Sequence, residues 1–320
     1  MMKRSRLLPR FLRLSYLLAP LILCFLSISC DRQDPLPEID LTQSGRTAIL
    51  EPKPSGDEFQ VAVGAMISPH ETFIHYRELL DYLAEKAGKS YQLVLRKKYQ
   101  EVNDAVRDGE VDLALVCSGA YVQGHDQFGM ELLVAPMVAG KTVYYSYLIV
   151  NKNSTIRDLE DLRGKTFAFT DPMSNSGRLS PVALLAEHGE TPESFFTKTI
   201  FTYSHDKSIK AVAHGLVDGA AVDSLIWDYF NATNDELTKE TRIIHTSDPY
   251  GIPPLVVPPG LDPALKARFR EIFLAMHTDP AGLKILQTIR IERFVSVDDS
   301  LYTSIRAMEA LLPGLPAEEK

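Results

Sequence analysis

The residues best equipped for chemistry are gathered in one stretch, Thr170-Asp171-Pro172-Met173-Ser174-Asn175-Ser176-Gly177-Arg178-Leu179-Ser180-Pro181. Two hydroxyls, an amide side chain and a glycine follow an apolar segment ending at Phe169, and Pro181, which lacks an N–H, fits best inside the first turn of a helix. The helix cap is therefore expected near Gly177 or Arg178, with the amide hydrogens of the 174–177 turn left over at the positive end of the helix dipole. A turn of that kind suits an anion. The plain alternative is that Ser174 or Ser176 only caps the helix, and spacing alone does not separate the two. The lysine and spacing of a nucleoside-triphosphate loop are missing.

Two further clusters close apolar segments in the same half of the chain, Tyr203-Ser204-His205-Asp206 and Ala221-Val222-Asp223-Ser224. His205 can donate to an anionic oxygen or simply cap a helix. Asp223 repels an anion unless the ligand brings a proton, so it calls for a P–OH or an ammonium; its alternative is again a cap. Earlier in the chain, Tyr99 opens a helix after a strand end, and Tyr121 follows Cys117-Ser118-Gly119-Ala120. Tyr144, Tyr145 and Tyr147 lie on a strand-like segment, and position favours Tyr99 and Tyr145 over the others. Ser176, His205 and Asp206 or Asp223 also supply the residue types of a serine hydrolase, but Gly-x-Ser-x-Gly is absent. The histidines show no zinc-binding spacing, and no metal or cofactor is expected.

These clusters must be held by an alternating chain. Strands are expected at 59–66, 91–95, 111–116, 143–150, 166–170, 199–203, 220–222 and 254–257. Helices are expected at 70–87, 99–108, 179–188, 207–214, 225–230, 262–277, 280–288 and 299–311. The alternation implies an α/β protein with mainly parallel sheets and ligands at the carboxyl ends of the strands. The last three helices have no strands of their own to cover, so the chain is expected to return to its first unit. Residues 58–149 plus 250–320 then form one lobe and 150–249 the other, with crossovers near 149–151 and 246–249. Two α/β lobes joined in this way make a hinged clamp around a cleft.

Lys3, Arg4, Arg6, Arg10 and Arg13, followed by an apolar run from Tyr16 to Ile28, read as an export signal over residues 1–29. Leu26-Ser27-Ile28-Ser29-Cys30 resembles the bacterial lipobox, which implies lipidation of Cys30, although Ser27 stands where an aliphatic residue is more common. By the same resemblance Asp31 favours retention at the inner membrane. Residues 30–57, with Pro35, Pro37, Pro52 and Pro54, read as a flexible tether. The whole chain has 34 basic and 42 acidic residues; without the five basic residues of 1–29 the balance is 29 against 42. That excess of negative charge argues against a nucleic-acid partner, and the only basic run, Arg96-Lys97-Lys98, reads as a solvated strand end. Cys24 lies in the signal and Cys30 at its end, which leaves Cys117 alone after the apolar run 113–116, as a buried thiol. Without a disulfide, stability has to come from the core.

Taken together, Asp171-Pro172-x-Ser174-x-Ser176-Gly177, Ser204-His205-Asp206, Ala211-Val212-x-x-Gly215-x-x-Asp218-Gly219-Ala220 and Asp223 resemble the PhnD-like phosphate/phosphite/phosphonate-binding proteins of bacterial ABC importers. Tyr76-Arg77-x-Leu79-Leu80, Gly109-x-Val111-Asp112, Asp279-Pro280-x-Gly282 and Phe294-Val295-x-Val297-Asp298-Asp299 extend the likeness over about residues 58–305. The resemblance implies a type II periplasmic-binding fold, a monomer without enzymatic activity, and a ligand passed to a membrane permease. It implies that Ser174, Asn175 and Ser176 hold phosphoryl oxygens, that Tyr99, Tyr145 and His205 add donors, and that Asp223 faces a P–OH or the substituent; Gly177 and Tyr121 complete the candidate ligand-binding residues. Asn175 stands where the family often has a hydroxyl residue, and no second carboxylate is evident for an ammonium, which tilts the reading toward phosphate, phosphite or methylphosphonate. A ligand sensor of the same fold feeding a membrane receptor or kinase is the second reading, and a serine hydrolase the third.

Overall fold

The computed structural model describes residues 57–233 and 236–312; the signal segment, Cys30 and all but the last residue of the tether lie outside the described residues. Strand β1 (Glu58–Val63) is buried almost throughout and pairs in parallel with β2 (Ser90–Leu95) and with β3 (Leu113–Leu115). The chain returns to this sheet late. Strands β4 (Glu131–Met137), β12 (Leu255–Val257) and β13 (Arg293–Val295) complete the order β13-β4-β12-β3-β1-β2, with β12 antiparallel to both β3 and β4. The sheet is therefore mixed, because the returning chain enters from the opposite end.

Helices α1 (Pro69–Ala87), α2 (Tyr99–Arg107) and α3 (Ser118–Phe128) belong to this lobe. Helix α1 begins at a proline and ends at Gly88, whose φ of 69° is the left-handed cap that glycine adopts without strain. Helix α3 was not legible in the sequence. Its glycines are poor helix formers, yet they let it pack closely: a Cβ on Gly124 would stand 2.5 Å from Met130 Cε. The late helices α7 (Pro263–Ala275) and α8 (Pro280–Thr288) cover the same sheet, with the Phe269 ring edge-on to Phe59 at 4.9 Å.

The second sheet has the order β10-β6-β9-β7-β8, built from β6 (Ser146–Asn151), β7 (Thr166–Phe169), β8 (Lys198–Phe201), β9 (Gly219–Asp223) and β10 (Thr241–Thr246). Strand β7 is parallel to β8 and β9, while β6 is antiparallel to β9. Helices α4 (Ser180–Glu187), α5 (His205–Ala213) and α6 (Ser224–Ala232) follow β7, β8 and β9, and Phe167 stacks on Phe196 at 4.5 Å in the core. Between the sheets, β5 (Val143–Tyr144) pairs with β11 (Tyr250–Gly251). The chain thus changes sheets at Tyr145 and again at 247–249. The crossover expected at 149–151 falls inside β6, since the long apolar segment from Val143 is two strands rather than one. The last helix, α9 (Thr303–Leu311), follows a single turn at Asp299–Tyr302.

Candidate functional site

Parallel pairing of β7 with β8 and β9 brings their carboxyl ends side by side, so Thr170-Asp171, Tyr203-Ser204-His205 and Asp223 emerge together. Opposite them stand the carboxyl ends of β1 and β3 and the first turns of α2 and α3. The two lobes touch through direct hydrogen bonds. The amide of His205 donates to the Met66 carbonyl at 2.8 Å, that of Ser68 to Asp206 Oδ1 at 2.9 Å, and that of Tyr99 to Asp171 Oδ2 at 3.2 Å. Close approach also depends on Gly119, where a Cβ would lie 2.5 Å from the Met173 carbonyl oxygen.

The turn after Asp171 is tighter than its sequence suggests. Ser174 is the cap, its Oγ accepting from the Gly177 amide at 3.0 Å, and residues Asn175–Leu179 form a π-helical turn that runs into α4. The cap therefore lies three residues before Gly177, and Pro181 sits in the first turn of α4 itself. The expected row of open amide hydrogens is also partly taken. Gly177 donates to Ser174, and the amide of Asn175 donates to the Cys117 sulfur. Gly177 has a packing reason as well, since a Cβ there would meet Thr170 Oγ1 at 2.5 Å.

What the turn leaves open is mainly its side chains. Ser176 Oγ and Asn175 Oδ1 are buried without a partner among the described residues, as are Tyr99 Oη, Ser204 Oγ and His205 Nε2. Buried polar atoms without partners are uncommon in folded proteins, and such a group has the donors and acceptors to hold a polar molecule. The histidine's role is fixed by its neighbours. The amide of Asp223 donates to His205 Nδ1 at 3.0 Å, so that nitrogen keeps its lone pair and the proton sits on Nε2. Burial pushes His205 down to about 3, and it stays neutral with its open N–H facing inward from the strand end. The backbone turn that delivers it is strained, with Tyr203 at φ 60° and its amide held by the Thr170 carbonyl at 2.6 Å.

Asp223 ends β9 and caps α6, its Oδ1 accepting from the Leu225 amide at 2.7 Å. Burial pushes its carboxyl up to about 7, so near neutral pH it passes between acceptor and donor. Asp171 is raised to about 6, chiefly by burial, against the pull of its two backbone N–H donors. Burial also carries the phenols of Tyr99 and Tyr144 well above the ordinary value, with Asp223 and the Cys117 thiol adding to the effect on both.

One tyrosine joins the candidate site and one sequence expectation is corrected. The phenol set against the turn is that of Tyr144, which receives Asn175 Nδ2 at 3.0 Å; Tyr145, one residue on, is half-buried, and its backbone exchanges hydrogen bonds with Ser224. Neighbouring residues of an extended segment face opposite ways, and sequence alone did not fix which tyrosine faces in. Tyr121 is fully buried, but its hydroxyl donates to Asp299 Oδ1 at 2.7 Å and its ring packs on Tyr302 at 4.6 Å, so it binds the last turn to α3. Cys117 is a buried thiol as expected, pushed up to about 11, and its position beside Asn175 was not legible from its apolar neighbours. Ser204 stands within the Ser-His-Asp motif, and nothing in its spacing marks it as open.

A family model described as the periplasmic substrate-binding protein of phosphonate ABC transporters matches residues 61–302. The chain belongs to this family. Members are binding components of importers and carry out no chemistry on the ligand, which fits the geometry: His205 takes a backbone N–H from Asp223 instead of donating to its carboxylate, so no Ser-His-Asp relay is formed. The chain is 26% identical over 234 residues to the phosphonates-binding periplasmic protein of Escherichia coli K12, covering 72% of this chain and 69% of that protein. It is 33% identical over 162 residues to the phosphate-import protein PhnD of Mycolicibacterium smegmatis, covering 47% and 50% of the two chains. Among solved structures, the binding component of a phosphonate ABC transporter from Pseudomonas aeruginosa superposes with a TM-score of 0.75 at 25% identity, covering 82% of this chain and 91% of that one. The protein is thus a type II periplasmic-binding fold serving an ABC importer in the periplasm.

Proposed function

We propose that the cleft binds a small phosphorus oxyanion and that the closed lobes carry it to the permease. The supporting observation is the group of buried, unpartnered polar atoms on Tyr99, Asn175, Ser176, Ser204 and His205 gathered near Asp223. The hydroxyls and the Nε2–H supply donors to phosphoryl oxygens, and Ser174 and Tyr144 keep the turn in place. Asp223, in its ionised form, accepts the proton of a P–OH. Fully ionised sulfate has no such proton, so the same carboxylate rejects it. The E. coli relative is named for phosphonates and the mycobacterial one for phosphate import, so both ligand types are candidates here.

Calorimetry on ligand-stripped protein with phosphate, phosphite, methylphosphonate, 2-aminoethylphosphonate and sulfate tests this. At least one phosphorus species should bind and sulfate should not. Binding of sulfate as tight as that of the best phosphorus species would refute it. Membrane attachment through acylated Cys30 belongs to the same proposal, supported by the lipobox-like sequence and the polar tether behind it. A labelled fatty acid should be incorporated into the wild-type protein and not into Cys30→Ala, and a wild type that takes up no label would rule the lipid out.

A further inference from the structure

A pocket of about 720 Å³ opens between the lobes, and its wall includes Met66, whose carbonyl accepts the His205 amide, and Asp223, whose amide donates to His205 Nδ1. Its walls are built by the carboxyl ends of β3 and β4 with the start of β12 on one side, and by the first two turns of α6 on the other. Leu115, Pro253, Leu255 and Phe294 face Leu225 and Tyr229 across it. A volume of this order suits a drug-sized molecule, whereas a methyl or hydroxyl on phosphorus would leave almost all of it empty. The wall is apolar where a hydrated oxyanion would need hydrogen bonds, so this space does not serve the phosphoryl head. Acidic side chains do reach it. Asp223 has its Oδ1 engaged by the Leu225 amide, Asp228 receives the Tyr147 hydroxyl at 3.2 Å and Glu292 Oε1 accepts the Gly140 amide at 3.0 Å, while Arg290, also in the wall, brings a positive charge.

We propose that this pocket takes the substituent of the ligand, making the protein a receptor for a phosphoryl group that carries an apolar alkyl or aryl chain. The inference rests on the oxyanion reading above and adds the substituent class to it. The head occupies the donors of Ser176, Tyr99 and His205, Asp223 stands at the junction, and the chain runs along Leu225 toward α8.

The test is a calorimetric series of methyl-, butyl-, hexyl- and phenylphosphonate on stripped protein, with hexyl phosphate separating a carbon–phosphorus bond from an ester as the source of the chain. Each buried methylene should tighten binding by about fourfold, at the ordinary transfer energy of a CH₂. Leu283→Trp and Gln287→Trp, on one exposed face of α8 at the pocket wall, should cost hexylphosphonate at least about tenfold and leave methylphosphonate unchanged. Affinity that is flat or falls from methyl to hexyl would overturn the inference while leaving the oxyanion reading standing. So would tighter binding of an amine-terminated chain than of a methyl-terminated one of the same length, because the acids would then govern the pocket. Failure of every phosphorus species to bind would remove both.

Discussion

Replacing Asp223 by asparagine should make the empty protein more stable and the loaded one weaker. The carboxyl is raised from 3.8 to about 7 by burial, so in the fold it holds its proton where the unfolded chain has lost it. Between those values the native state binds more protons than the unfolded one, and stability falls as the pH rises through the window. At about 1.4 kcal/mol for each tenfold in proton affinity, the penalty reaches about 4 kcal/mol above pH 7 and vanishes below pH 4. Asparagine keeps an oxygen for the Leu225 amide but carries no charge. Asp223→Asn should therefore gain up to about 4 kcal/mol at pH 8, a rise in Tm on the order of 10 °C for a protein of this size, and nothing at pH 4. Thermal unfolding of stripped protein over that pH range measures it. Calorimetry in parallel should show weaker binding of P–OH species. A variant no more stable than wild type at pH 8, or one whose gain is the same at pH 4 and pH 8, would refute the account of a buried acid held for its ligand.

Ser176→Ala should weaken phosphorus-oxyanion binding by about 1–3 kcal/mol, since it strips one ligand oxygen of its donor; unchanged calorimetric affinity would exclude that hydroxyl. Gly119→Ala places a methyl against the Met173 carbonyl, so it should disfavour closure by about 1–3 kcal/mol and lower affinity in proportion, with small-angle scattering showing a more open average shape. His205, at about 3 in the fold and 6.5 unfolded, binds fewer protons in the native state, so its contribution is present above pH 6.5 and is lost as the pH falls toward 3. His205→Gln should flatten the acid limb of the stability curve by about 2–3 kcal/mol near pH 4.5, and an unaltered limb would show that the imidazole is not buried neutral.

The pairing of local pattern and chemistry made much of this protein legible from its residues. Apolar runs of strand length alternating with capped amphipathic stretches determine the α/β class, and the Ser-x-Ser-Gly and Ser-His-Asp motifs fall at strand ends where the fold places ligands. Both signals are local: side-chain periodicity follows from backbone geometry, and turn residues act on their immediate neighbours. The structure alone decided which polar atoms stay open. Gly177 is claimed by Ser174 and the Asn175 amide by Cys117, a residue far away in sequence, while Ser176 and His205 keep free donors. It also set the Tyr144 phenol against Asn175, turned Tyr121 to Asp299, and put Asp223 in the wall of an apolar pocket. Those outcomes depend on contacts between distant segments, and burial, which sets the charge of Asp223 and His205, exists only once the lobes are packed.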